Sequence, residues 1–270
     1  METPILWQFT SSHYNEKARW ALDFKHVPHI RRSLVPGFHA PVVKRLTGAT
    51  QVPVLKLKSV IVADSSKIIE ALERAFPEPS LYPADAAERR RALELEEYFD
   101  EELGPYIRRW MFFMARNDPW FVREAFIAHA SLPVRLAHRA MSPLLRPVLR
   151  RRLDLNPVSA EVAYGRMLAA MVRLEQEVGR SGYLAADRFT VADLTAAALF
   201  SPIVRPREFP YRSDLRLPEP IAKVRAALES RPAFQWTLRI YRQHRGGSAE
   251  ITDRAKVSRR EMIPQQAESR

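Results

Sequence analysis

The chain of 270 residues contains no cysteine. That excludes disulfides, thiolate zinc sites and any cysteine nucleophile of the protein's own. Thiol chemistry here must therefore use the thiol of a ligand. Also missing is any apolar run of about 18 residues, so no membrane-spanning helix is predicted. The opening "METPILWQFTSS" lacks both a basic stretch and a small-residue cleavage site, and does not read as a signal peptide. A cytoplasmic location is the expectation. Acids are in deficit: 43 Lys and Arg against 31 Asp and Glu leave a formal charge of +12. Such a balance favours anionic partners. No basic motif interleaved with aromatics accompanies it, so nucleic acid is not expected and solvated arginines are the preferred reading.

What is present alternates at first between strand and helix signals. "TPILWQF" is a short apolar run. "YNEKARWALDFKH" follows with helical spacing, Ala18, Ala21, Leu22 and Lys25 on one line. It must stop before Val27-Pro28, because the residue before proline avoids the α region. "HIRRSLV" reads as a strand and "APVVKRL" as a short helix or turn. "VPVLKL" and "VIVAD" read as a hairpin across Lys58-Ser59, although that turn lacks glycine or asparagine. "SSKIIEALERAF" is a helix closed by Pro77 and Pro79. The order β-α-β then β-β-α predicts a small mixed sheet with helices on its faces. After the proline-rich "PEPSLYPADA" every segment has helical character. The expected division is a domain at 1–80, a linker at 81–88, a helical domain at 89–245 and a mobile polar tail at 246–270.

Three stretches carry candidate chemistry. In "TSSHYNEKARW" a serine stands at the start of the first helix, where capping alone would justify it. A thiol held at that helix N-terminus would have a lowered pKa, from about 8.5 when unperturbed, and a hydroxyl donor would lower it further. In "QVPVL", Val52-Pro53 fits a proline at a strand start or a cis-proline that turns backbone groups toward a ligand. In "ADSSKIIEALE", Asp64 and Ser65 sit where a strand feeds a helix. Free N–H groups beside an acid suit an α-amino acid terminus.

Together these stretches resemble the cytosolic glutathione transferases, and the resemblance covers the chain apart from its tail. It implies a thioredoxin-like N-terminal domain followed by an all-helical C-terminal domain. Ser12-His13-Tyr14-Asn15-Glu16-Lys17 matches the Cys-Pro-Tyr-Cys-x-Lys turn of thioredoxin-like relatives, with serine in the nucleophile's place. "DRFTVADLTAAAL" resembles the family's folding motif, with Thr190 and Asp193 as a capping box. What the resemblance implies is glutathione as co-substrate, no metal, and a homodimer. Ser12 would activate the thiol, with Ser11 as its rival. Gln51, Val52, Pro53, Asp64, Ser65, His13 and a cation, Lys44 or Arg45, would line the glutathione site.

Departures are informative. His13 replaces the usual proline, and reads as a polar filler, a helix-end residue or a second contact to substrate. No tyrosine occupies the early strand position of tyrosine-type transferases; Trp7 and Phe9 lie nearby. Tyr106, Arg109, Trp110 and Phe113 have the helical spacing of a hydrophobic-substrate wall, and equally that of domain core. Around 118–157 lies a basic insertion; from Val122 to Arg152 it carries seven arginines against one acid. Pro133, Pro143 and Pro147 predict short pieces. The preferred reading puts its apolar side in the core; a membrane-surface element, a partner groove and a lid are alternatives. The expected function is transfer of glutathione to an apolar electrophile. A non-catalytic binding or scaffold protein and a glutathione-dependent isomerase or dehalogenase are the alternatives.

Overall fold

The computed structural model describes residues 2–211 and 214–251. The first part runs β1 (Ile5–Gln8), α1 (His13–Phe24), β2 (Ile30–Ser33), α2 (Ala40–Thr47), β3 (Val54–Leu57), β4 (Val60–Ala63) and α3 (Ser65–Ala75). The sheet order is β2-β1-β3-β4, with β2 parallel to β1 and the other two pairs antiparallel. This is the thioredoxin-like arrangement. The β3–β4 turn manages without glycine because Lys58 itself takes the left-handed conformation, φ 54°. Among the described residues eight helices follow: α4 (Ala86–Glu102), α5 (Gly104–Met114), α6 (Pro119–Ile127), α7 (Leu132–Arg152), α8 (Pro157–Glu177), α9 (Val191–Val204), α10 (Glu219–Leu228) and α11 (Pro232–His244). Among the described residues no helix is long and apolar enough to cross a membrane.

Helix α9 is buried on nearly every side and forms the centre of the helical part. It starts at the capping box read from the sequence: the Asp193 carboxylate accepts from Thr190 N and Thr190 Oγ1, both at 2.9 Å. Helix α1 packs against α9 on one side and α3 on the other. It is buried although it contains Glu16, Lys17, Arg19 and Asp23. Each of these charges is paired. Arg245, just past α11, reaches Glu16 Oε1 at 2.6 Å and Asp23 Oδ2 at 2.9 Å. Arg31 from β2 holds both oxygens of Asp23.

Two expectations are corrected here. Residues 246–251, assigned to a mobile tail, are docked: Ala249 N donates to Asp23 Oδ1 at 2.8 Å and Ile251 N to His29 O at 2.8 Å. A buried carboxylate with capacity to spare holds that strand end, a contact that tail composition does not reveal. The rest of the expected tail, 252–270, lies outside the described residues. The basic insertion does not break at its prolines either. Residues 132–152 form one helix of 21 residues, with Pro143 and Pro147 inside it. The two prolines are four apart and both exposed, so the carbonyls they strand face water.

Candidate functional site

The sheet register gathers the sequence candidates at one edge. Trp7 pairs with Val54, and Val54 with Ala63. The turn after β1, the Val52-Pro53 peptide before β3 and Asp64 after β4 therefore emerge side by side. That peptide is cis. Among the described residues Val52 makes no backbone hydrogen bond.

The two serines differ in how they are used. Ser11 Oγ donates to the Ala125 carbonyl of α6 at 2.5 Å, and Thr10 Oγ1 donates to the same oxygen at 3.1 Å. Ser12 is the N-cap of α1, with Oγ accepting from Asn15 N at 3.4 Å. One of its two lone pairs is occupied, and its proton is not committed among the described residues. Beneath the turn lies Arg19, fully buried, which sequence reasoning missed as part of the site. Its guanidinium bonds Glu16 Oε2 at 2.9 Å, Gln8 Oε1 at 2.8 Å, and the carbonyls of Phe9 and Thr10 at 3.1 Å each. Five fixed donors gather the backbone of the turn into one shape. The helical i, i+3 relation of Glu16 and Arg19 was the available signal.

His13 points away from the open edge. Its ring is 4% exposed, and Nε2 donates to Gly104 O at 3.0 Å. Burial lowers its pKa to about 3, helped by the positive charge of Arg108 and resisted by the carbonyl bond. It is a neutral filler between α1 and α5, not the ligand contact that the site assignment allowed. Tyr14 beside it donates to Asp100 O at 2.7 Å. Gly104 is there because of it: a Cβ at that position would lie 2.0 Å from the Tyr14 hydroxyl.

At the other end of the edge, Asp64 (φ 81°) caps α3, with Oδ1 accepting from Ser66 N at 3.0 Å and Lys67 N at 3.2 Å. Its Oδ2 has no partner among the described residues. Ser65 is buried and occupies the first position of α3. Ser66 belongs to an interdomain cluster: Lys17 Nζ lies 2.7 Å from Ser66 Oγ, 2.8 Å from Glu96 Oε1 and 2.5 Å from Asp100 Oδ2. Burial pushes the lysine pKa down, and the two carboxylates of α4 more than reverse this, so Lys17 stays charged. Gln51, Lys44 and Arg45 are exposed nearby along the chain; Gln51 Oε1 accepts from Thr50 N at 3.2 Å.

The proposed hydrophobic wall is elsewhere. Trp110 is 1% exposed and stacks on Tyr164 of α8, with centroids 5.9 Å apart. Phe113 packs with Leu155 and Ala160. Arg109 Nε donates to Leu153 O at 2.9 Å, and Tyr106 sits between Arg109 and Arg166. Trp110 and Phe113 are buried on the side of α5 that meets α8, while Tyr106 and Arg109 are half-buried beside them. The aromatics next to the turn are instead Phe9 and Phe126, edge to face at 6.4 Å, with Phe112 stacked on Phe126 at 5.6 Å. Phe126 comes from the insertion, whose contacts the sequence pattern did not locate.

A four-stranded thioredoxin-like sheet, an all-helical remainder and a cis-proline edge define the glutathione transferase fold. Residues 6–80 match the family of glutathione S-transferase N-terminal domains. The match covers that part of the chain, and the chain as a whole has the glutathione transferase fold. No curated protein matches the sequence. Among solved structures the chain is similar to a glutathione S-transferase of Methylobacterium radiotolerans in complex with glutathione sulfonate, with 23% identity, TM-score 0.54, and 88% of this chain and 95% of that one covered. It is similar to the beta-etherase LigF of Sphingobium sp. strain SYK-6, with 22% identity, TM-score 0.59, and 88% and 99% covered. A theta class enzyme of Xanthomonas axonopodis pv. citri with glutathione bound gives 17% identity, TM-score 0.54, and 88% and 98% covered.

Proposed function

We propose that the protein binds glutathione at this edge and activates its thiol for attack on an apolar electrophile. The observation that carries the reading is the uncommitted hydroxyl proton of Ser12 at the N-terminus of a 12-residue helix. A sulfur placed there receives that proton in a hydrogen bond and feels the positive end of the helix. Both favour thiolate over thiol. The free oxygen of Asp64 takes the γ-glutamyl ammonium, and Ser65 at the start of α3 takes its carboxylate. Val52 pairs with the cysteinyl backbone. Gln51 and the cation of Lys44 or Arg45 serve the glycyl carboxylate. The thiol proton leaves to solvent, the sulfur lone pair forms a carbon–sulfur bond, and the leaving group departs with its electron pair. Phe9, Phe126 and Phe112 form an apolar wall for the electrophile. Exposed Leu93 on α4 and Val158, Val162 and Val172 on α8 support a homodimer through those helices.

A second reading is favoured by the Ala125 carbonyl, which takes two hydroxyls of the turn and brings α6 across it. On that reading the fold binds a partner without thiol chemistry. Calorimetry with glutathione separates the two, and absence of binding at millimolar concentration rejects the enzyme reading. Given binding, the thiolate absorbance of bound glutathione is titrated. Ser12→Ala is expected to raise the thiol pKa and lower conjugation by about 10²-fold, the scale of one oriented donor. Ser11→Ala should leave the thiol pKa unchanged; the reverse pattern would exchange their roles.

A further inference from the structure

Helix α7 has no buried residue. Val134, His138, Leu145 and Leu149, with Ser142 between them, are its half-buried residues. His138 meets Phe38 edge to face at 5.7 Å, and Leu145 lies against Gly37. These four follow spacings of four, seven and four residues, which is one line along a helix. Arg135, Arg139, Arg146 and Arg150 repeat the spacing one residue later, and Leu132, Leu136, Pro143 and Pro147 repeat it two residues before. The helix thus carries three parallel lines, one docked, one of arginines, and one apolar line turned outward. Leu144 and Val148 widen the apolar line. Their exposures are large: 65% at Leu132, 57% at Leu136, 73% at Leu144 and 65% at Val148. The expectation that the apolar side of the insertion is in the core holds for α6, where Phe121, Ala125 and Ile127 are buried, and fails for α7.

The charge beside that face has one sign. The helix holds six arginines and no aspartate or glutamate. Only Arg135 has an acid in reach among the described residues, Glu124 at 3.4 Å. An outward strip of leucine, valine and proline costs solubility unless something covers it. A protein groove would need complementary shape and paired acids; an anionic bilayer needs only depth for the apolar side chains and phosphates for the arginines. The strip is a convex helix face, which suits a soft planar partner. Long arginine side chains on its flank reach headgroups while their stems stay at the apolar boundary.

We infer that α7 is a docking surface for an anionic lipid membrane, with Leu132, Leu136, Leu144 and Val148 entering the headgroup–acyl boundary and the arginine line binding lipid phosphates. The proposal is independent of glutathione chemistry.

Cosedimentation of the full chain tests it, with vesicles of phosphatidylcholine alone and with about a third phosphatidylserine. Binding is expected to the second and not the first, and to weaken with salt. The double variant L144E/V148E alters only exposed positions and should lose at least about tenfold in partitioning. The variant R139Q/R146Q/R150Q should lose roughly 100-fold, about fivefold per arginine. A Leu144→Trp reporter, read against the same reporter without vesicles, should shift to the blue on anionic vesicles. No binding to anionic vesicles overturns the proposal. So does binding that L144E/V148E leaves intact, because net charge alone then explains it. Duplex DNA displacing the vesicles, with the Leu144→Trp emission unmoved, would make the surface a polyanion site. Sedimentation showing self-association that L144E/V148E abolishes, without vesicle binding, would make it an interface between copies.

Discussion

Helices α1 and α7 both carry dense charge, and they use it in opposite ways. In α1, Glu16, Lys17, Arg19 and Asp23 are each at most 2% exposed and each is held by at least one opposite charge. In α7 six arginines stand in water beside leucines that also stand in water. Burial makes a charge expensive to leave unpaired, so the α1 charges fix which segments may meet: α4 through Lys17, β2 through Arg31, and the segment after α11 through Arg245. Exposure makes a charge cheap and available. The net charge of +12 is therefore no uniform bias. Where arginine has partners it organises the fold, and where it has none it is free for an outside surface.

The sharpest way to break this contrast is to remove one buried partner. Arg245→Met leaves Glu16 with Arg19 as its remaining cation and Asp23 with Arg31. The expected loss is about 3–5 kcal/mol, read as a fall in the urea midpoint at unchanged slope. A loss under about 1 kcal/mol would mean that the α1 cluster is no more costly to disturb than a surface pair. Gly104→Ala comes next. Its Cβ meets Tyr14, which is itself pinned to the Asp100 carbonyl, so the α1–α5 contact must open. Overpacking of this kind costs about 1–3 kcal/mol. Gly165 on α8 has nothing within 4 Å of an added Cβ and serves as the control.

The contrast also explains what the sequence disclosed. The β-α-β-α-β-β-α order, the capping box at Thr190 and the position of Ser12, Val52 and Asp64 at element ends were legible, because they rest on local signals: periodicity, capping residues and strand starts. The role of Arg19 was hidden, since a basic residue within a helix ordinarily reads as solvated. Trp110 and Phe113 have the same spacing whether they face a substrate or α8; only packing decides. Residues 246–251 look like tail because their anchor, Asp23, is more than 200 positions away in sequence. In α7 the apolar spacing promised a buried face, and the sequence carried no sign that the docked line would be the one containing His138.

His13 gives a titration of the buried side. Its ordinary pKa of 6.5 falls to about 3, chiefly through burial. The folded protein therefore keeps it neutral while the unfolded chain protonates it. Stability from this group is complete above about pH 6.5 and is lost as the pH falls toward 3, with a slope of at most about 1.4 kcal/mol per pH unit. His29, lowered to about 4 by burial, adds a slope of the same sign. Urea midpoints between pH 7 and 5 should fall in the wild type. In His13→Gln, whose amide can still donate to Gly104 O, the fall should be shallower by one proton's worth. An unchanged slope would place the His13 ring in contact with water.

The smallest expected effect belongs to α7, and its smallness is the point. Leu144 is 73% exposed, so Leu144→Glu deletes almost no buried area and adds a charge that water solvates. The urea midpoint should move by less than about 0.5 kcal/mol in dilute protein without vesicles. A leucine that contributes nothing to folding yet lies in a row of leucines is not explained by the fold. A loss above about 2 kcal/mol would show that something already covers Leu144 in solution, and the opposition between a paired, buried α1 and an unpartnered α7 would fail.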